Sequence, residues 1–177
     1  HICASPFFLN WQDGEYIYLI NTRWKELLGR KTIGYQTESI EIWKNKGDLE
    51  NPDFQLWKTL PWNSDEQIYH GDNFIYENEL YIIFNALSNR FRTFYGIRDH
   101  FKYLWIAKSS DLIHFQICNH PLLKRGGIYK PTAYLEDGVL HIYFATDNSY
   151  YGKDRKFYPS GNRIGYFTIP FKDIQFD

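Results

Sequence analysis

Apolar and polar positions along the chain alternate in short runs instead of recurring at helical spacing. Between Lys102 and Ser149 four runs follow one another, LWIAKS, LIHFQI, IYKPTAYL and LHIYFAT. Each is rich in Ile, Tyr, Phe or Trp, and each stops at a turn signal: Ser-Ser-Asp, Cys-Asn-His-Pro, Glu-Asp-Gly and Asp-Asn-Ser. Runs of this length and composition predict strands, because broad and β-branched side chains suit a pleated, half-buried surface. Asp137-Gly138 between two of the runs predicts a tight antiparallel hairpin, since glycine accepts the positive φ of such a turn. Leu27-Leu28 is the one place read as a single helical turn.

The pattern repeats. A strand, an acidic turn and a second strand occur at Cys3 to Asn21, at Tyr69 to Ala86 and at Tyr129 to Thr146. Gly14, Asn78 and Gly138 mark the turns, at intervals of 64 and 60 residues (78 − 14 and 138 − 78). A further pair of runs follows each hairpin: Ile33 to Trp43, Leu104 to Phe115 and Ile164 to Phe176. Four antiparallel strands repeated about every 60 residues is the pattern of propeller blades. The predicted fold is therefore all-β, a β-propeller of four-stranded antiparallel blades, with about three blades at roughly 1–60, 61–120 and 121–177. The joining segments Trp24 to Lys31, Ser88 to Phe101 and Asn148 to Asn162 read as long loops, which often carry binding function.

Composition narrows the function. Aromatic residues make up 20% of the 177, which suits sheets that bury broad rings. Net charge is −1 and no long basic run occurs, so nucleic acid is not an expected partner. No apolar run approaches the ~20 residues of a membrane span, and no leader pattern precedes the first strand. A start at His1 and the lack of any Met read as a processed or truncated product. Cys3 and Cys118 are either buried thiols or one long-range disulfide, which leaves the compartment open. No G-x-S-x-G, H-E-x-x-H or CxxC occurs, so no nucleophile constellation, metal or cofactor is expected. Gly126-Gly127 precedes a strand and is no phosphate loop.

The run Lys108-Ser109-Ser110-Asp111-Leu112-Ile113-His114-Phe115 is similar to the S-x-DL-x-x-W turn between outer strands in the five-bladed β-propeller glycoside hydrolases of the family 43 and family 32 group. The hairpin rhythm of all three modules also resembles theirs. The Ser and Asp of that turn are expected to cap it through local hydrogen bonds. The resemblance implies a channel lined by the first strand of each blade, with the active site at one mouth. It implies a glycan, an oligo- or polysaccharide, as partner. It also implies that further blades come from the same parent chain or another subunit. If the modules correspond to the last three blades, Ala4-Ser5-Pro6 stands where a catalytic Glu would be expected. Tyr69-His70-Gly71 is similar to a channel-lining His-Gly, and Tyr129-Lys130-Pro131 to an Arg-Pro with Lys in place of Arg.

Glycoside hydrolysis usually takes two carboxyl groups, about 5–5.5 Å apart for retention or about 6.5–9.5 Å for inversion. Asp72 is the obvious carboxylate on the predicted inner strands and the catalytic candidate. Its alternative role is a strand residue bonding a backbone N–H. His70 is expected to bind a sugar hydroxyl or orient Asp72, unless it is simply a structural histidine. Lys130, before a proline, is expected to be extended and to reach an anionic sugar or pair with Asp72. Tyr69 and Tyr129 flank these residues as substrate contacts. Arg92, in a loop that also holds Arg90, Phe91, Phe94, Tyr95 and Arg98, is expected to grip a sugar, and Tyr150, Tyr151 and Tyr158 raise the same choice. Asp13, Glu15, Glu77, Glu79, Glu136 and Asp137 read as solvated turn formers. The sequence supports a glycosidase, a non-catalytic glycan-binding propeller or a protein-interaction propeller.

Overall fold

A computed structural model describes residues 2–12, 14–26, 33–61, 66–88, 102–124, 128–146, 150–151, 157–158 and 163–176. Three main antiparallel sheets follow one another. The first is β1 (Ile2–Trp11), β2 (Gly14–Glu26), β3 (Ile33–Asn45) and β4 (Phe54–Pro61), paired in chain order. The second is β5 (Glu66–Tyr76), β6 (Glu79–Ser88) and β7 (Lys102–Ser109), with the short β8 (Gln116–Ile117) and β9 (Leu123–Lys124) both paired to β7. The third is β10 (Ile128–Glu136), β11 (Val139–Thr146) and, beyond a small hairpin of β12 (Tyr150–Tyr151) and β13 (Phe157–Tyr158), β14 (Arg163–Pro170).

Turn chemistry explains the three hairpins. Each has two residues between its closing pairs, which are Trp11 with Gly14, Tyr76 with Glu79 and Glu136 with Val139. Glu77 and Asn78 adopt φ of 49° and 61°, Asp137 and Gly138 of 49° and 74°. Both residues of these two turns thus lie in the left-handed region, whose twist matches that of the flanking strands.

The sheets stack face to face around two cores. Leu9, Trp11, Tyr18, Ile20 and Ile42 of the first sheet meet Leu80, Ile82, Phe84 and Leu112 of the second. Tyr81, Ile83, Leu104 and Ile106 of the second meet Ile128, Leu140, Ile142 and Phe144 of the third. β6 supplies both, its alternate side chains pointing to opposite faces. That is why Leu80 to Phe84 is an unbroken apolar run, while β11 alternates apolar with polar. The first strands lie side by side, β5 between β1 and β10, as inner strands do in a propeller.

Three of the predicted pairs of runs form differently from expectation. Ile33 to Trp43, expected as a pair of runs, lies within the single strand β3, and β4 supplies the fourth strand of that sheet. Within LIHFQI, only Gln116–Ile117 is strand, and Leu112 adopts φ 67°. Asp111 Oδ1 accepts the backbone N–H groups of Ile113 and His114 at 2.9 and 2.8 Å, so those donors are unavailable to a ladder. The third sheet has three strands, because Phe171–Asp173 turns as a 3-10 helix and Phe176 bridges to Cys118 of the second sheet instead. The chain end is thereby tied back, with Asn119 N–H donating to Gln175 O at 3.0 Å. Leu27-Leu28 and most of the three long loops lie outside the described residues.

Candidate functional site

The same irregularity recurs on each inner strand. β1 slips register between Ala4 and Phe7, β5 between Ile68 and His70, and β10 between Tyr129 and Thr132. A β-bulge inserts residues on one strand, bends it and re-aims the side chains that follow. The inserted residues are Ser5-Pro6, Tyr69 and Lys130-Pro131, at the three tripeptides aligned from sequence. Lys130 accordingly adopts φ 46°, not the extended backbone its pre-proline position predicted. The bulge opposes both Lys130 and Pro131 to the one residue Phe144, and the left-handed turn at Lys130 absorbs the excess length. The Lys130 side chain is exposed and Pro131 is buried.

Asp72 lies just after the β5 bulge, where it ties two inner strands. Its Oδ2 accepts the Thr132 hydroxyl and, at 3.4 Å, the Ala133 backbone N–H, both on β10. Its Oδ1 accepts the Asn73 backbone N–H at 2.9 Å. The neighbouring Asn73 points the other way and donates from Nδ2 to Phe8 O of β1 at 2.9 Å. Two consecutive residues of β5 therefore tie all three inner strands, because successive side chains on a strand face opposite sides. The backbone-bonding role read as the alternative for Asp72 is present. β1 contributes no acid to this region, as the Ala4-Ser5-Pro6 stretch implied.

The other expected contacts are only partly visible. The backbone of His70 pairs with Asn85 and that of Tyr129 with Ala145, and Tyr69 occupies its bulge. The side chains of these three residues, and all of Arg90, Arg92, Arg98, Phe91, Phe94 and Tyr95, lie outside the described residues. Tyr150 and Tyr158 pair across the small hairpin, their side chains also undescribed. No group of three or more His, Cys, Asp or Glu able to hold a metal lies among the described residues. No helix there is long and apolar enough to cross a membrane.

Sequence reasoning missed Asn85. It is fully buried on β6 and donates from Nδ2 to Ile128 O of β10 at 3.0 Å, joining the second and third sheets. The available signal was a lone amide inside the apolar run LYIIFNAL, since a buried amide is retained where it has a partner. Glu79 was read as a solvated turn former but is paired. It accepts the Tyr81 hydroxyl at 2.9 Å and Lys108 Nζ at 3.1 Å. Glu15 similarly accepts Asn45 Nδ2 at 2.6 Å.

The Ser-Ser-Asp-Leu turn is built as expected and also clasps two sheets. Ser109 Oγ donates to Asp111 Oδ1 at 3.1 Å, and His114 Nδ1 lies 2.6 Å from Asp111 Oδ2. The turn presents Leu112 to the first core, where the buried Tyr18 hydroxyl donates to Leu112 O at 3.4 Å. Burial pushes the Tyr18 phenol well above its ordinary range. Cys118 is a free, buried thiol whose S–H donates to His120 O at 3.1 Å, and burial raises its pKa.

Two carboxylates are held in their charged form by local hydrogen bonds. The His114 backbone N–H, then the His114 ring and Ile113 N–H, hold Asp111 far below the usual carboxylate range. The Tyr81 hydroxyl, then Lys108, lower Glu79. A carboxylate with a depressed folded-state pKa stabilises the fold above its unfolded value, and that contribution is lost as pH falls through the folded value. Asp111 is largely exposed, so solvent screening reduces the gain, and Asp111→Ala is expected to lower stability by only about 0.5–1 kcal/mol at neutral pH and to have progressively less effect in acid. Urea midpoints across an acid series check this; an effect that grows in acid would contradict it.

No protein-family model matches the sequence, and no curated protein matches it. Among solved structures, the crystal structure of a GH43_1 enzyme from Xanthomonas citri is similar over 93% of this chain, with a TM-score of 0.56 and 14% identity. The fold is all-β, a propeller of antiparallel blades. The likeness is one of architecture, and the chain spans 50% of the length of that enzyme chain. The stacked sheets thus correspond to propeller blades, with β1, β5 and β10 as their inner strands.

Proposed function

We propose that this chain belongs to a carbohydrate-active, glycoside hydrolase-like propeller that engages a glycan at the mouth of the channel lined by β1, β5 and β10. The observation that carries this reading is the shared bulge on the three inner strands. A bulge at the same point of each strand is a device for aiming side chains, and such bulges gather beside active sites. Asp72 is the carboxylate offered there, held by Thr132 and Ala133 of the neighbouring strand. In a hydrolytic reaction it would act as base or as a sugar-hydroxyl acceptor, with Lys130 and His70 as substrate contacts and a second carboxyl group from another blade.

A non-catalytic glycan-binding role is the second reading. It is favoured by the three hydrogen bonds that already occupy the Asp72 carboxylate and by the lack of an acid on β1. A panel of aryl glycosides, assayed with wild type and Asp72→Asn, separates the two. Loss of turnover by about a hundredfold or more in the folded variant supports catalysis, in line with the size of general-base contributions. Glycan binding without turnover supports the second reading. Absence of both glycan binding and turnover in the wild type would overturn the carbohydrate reading.

A further inference from the structure

We propose, resting on the glycan reading of the bulged mouth, that the glycan engaged there is anionic and that Lys130 selects its acidic group. The chain as a whole is close to neutral, at −1, yet its charges are sorted by height along the strands. The bulges of β5 and β10 lie near the starts of those strands, and the hairpin turns lie at the far end. On the second and third sheets, the described positions level with the bulges or beyond them hold four basic residues. These are Lys102, Lys124, Lys130 and Arg163, set against the one acid Glu66. The opposite end of the same two sheets holds six acids, Glu77, Glu79, Asp111, Glu136, Asp137 and Asp173, against Lys108 and Lys172. Such sorting sets a positive potential over the bulged end, and a field of that sign draws anions and raises their local concentration.

Lys130 stands out within that field. Its φ of 46° is the one left-handed value on the inner strands among the described residues, a conformation costly for any residue with a Cβ. Costly backbone of this kind clusters at binding and active sites, where the surroundings impose it. Pro131 is buried and anchors the chain, while the Lys130 side chain is exposed. Two residues on, the Thr132 hydroxyl donates to Asp72 of β5, so the lysine springs from the backbone beside the tie that joins the two sheets.

Lysine suits a sugar acid. Its ammonium is a compact charge with three rotatable donors, which can meet a carboxylate or a sulfate ester at varied angles. Lys124 of β9 and Arg163 of β14 are exposed as well, so the positive surface continues outward from the inner strand. A chain with several acidic units can then be held along the same end.

Titration calorimetry on the 177-residue chain compares oligogalacturonate, sulfated dextran, a neutral xylo-oligosaccharide and polyglutamate as probes. An acidic glycan is expected to bind about tenfold or more tightly than the neutral one, through charge-assisted hydrogen bonds. That preference should shrink several-fold between about 20 and about 200 mM salt, because exposed charges are screened. The carboxylate and sulfate arms tell which acidic group is read. Lys130→Met should weaken the binding about tenfold, and Lys46→Met, at the turn end of the first sheet, should leave it unchanged. Lys130→Gly separates side chain from fold, since glycine accepts φ 46° and the folded variant should bind as weakly as Lys130→Met. Equal affinity for neutral and acidic glycans, or full binding by Lys130→Met, would overturn the proposal and leave the glycan reading in place. Polyglutamate binding as tightly as the acidic sugar would also overturn it, because charge alone would then be read. If neither acidic nor neutral glycan binds, the glycan reading itself fails and the proposal falls with it.

Discussion

Tyr18→Ala is expected to remove about 3–5 kcal/mol of stability, the range for truncating a large buried aromatic side chain. Tyr18 is fully buried between the first two sheets. Its ring meets Phe115 edge-on at 6.5 Å and 85°, and its hydroxyl reaches Leu112 O. Truncation therefore empties a cavity, removes an aromatic pair and leaves the Leu112 carbonyl without that donor. Against a typical total of about 5–15 kcal/mol, the loss takes a large share. Tyr18→Phe keeps the ring and should lose only about 1 kcal/mol. Urea unfolding of both variants checks the pair of values. A Tyr18→Ala loss below about 1 kcal/mol would mean that the Ser109–Phe115 turn does not clasp the first sheet.

Phe171→Ala is expected to cost about 2–3 kcal/mol, from lost apolar burial and from aromatic pairs worth about 0.5–1.5 kcal/mol each. The Phe171 ring lies 5.1 Å from Tyr81, 5.4 Å from Tyr76 and 6.3 Å from Phe74, all of the second sheet. Its N–H also donates to Gly138 O at 2.8 Å, which places it at the third sheet's hairpin turn. It acts as a latch, and Phe176 continues it against Tyr81 and over Lys108. Releasing it should speed amide exchange at Asn119, whose N–H is bonded to Gln175 O. Unchanged exchange there would show that the chain end is held by something else.

The hairpins were legible because a tight turn is local chemistry. Asp137-Gly138 announces its own φ values, and the alternation on either side sets which face is buried. The repeat was legible for the same reason, once the acidic turns were aligned. What was lost depended on partners far away in sequence. Phe176 looks like the end of an outer strand, yet it pairs with Cys118, and nothing local says so. LIHFQI alternates as a strand should, but the Asp111 carboxylate takes the amide donors that a strand needs. At Lys130 a general preference for extended backbone before proline yielded to the bulge.

The candidate site divides along the same line. Asp72 could be picked out as the inner-strand carboxylate, since acids are rare within these apolar runs. That Thr132 would hold it could not, because the pairing of β5 beside β10 is a property of the stack. The Asp72–Asn73 pair shows how a short polar step in a strand can serve two neighbours at once. Either residue alone would tie only one.

The measurement that tests the account most directly is amide exchange by mass spectrometry, with and without the best-binding glycan from an array. Protection is expected to concentrate in segments 68–74 and 129–133, where the bulges and the Asp72–Thr132 tie lie. Protection confined to the outer strands β4, β8, β9 and β14, with the inner strands unchanged, would contradict it.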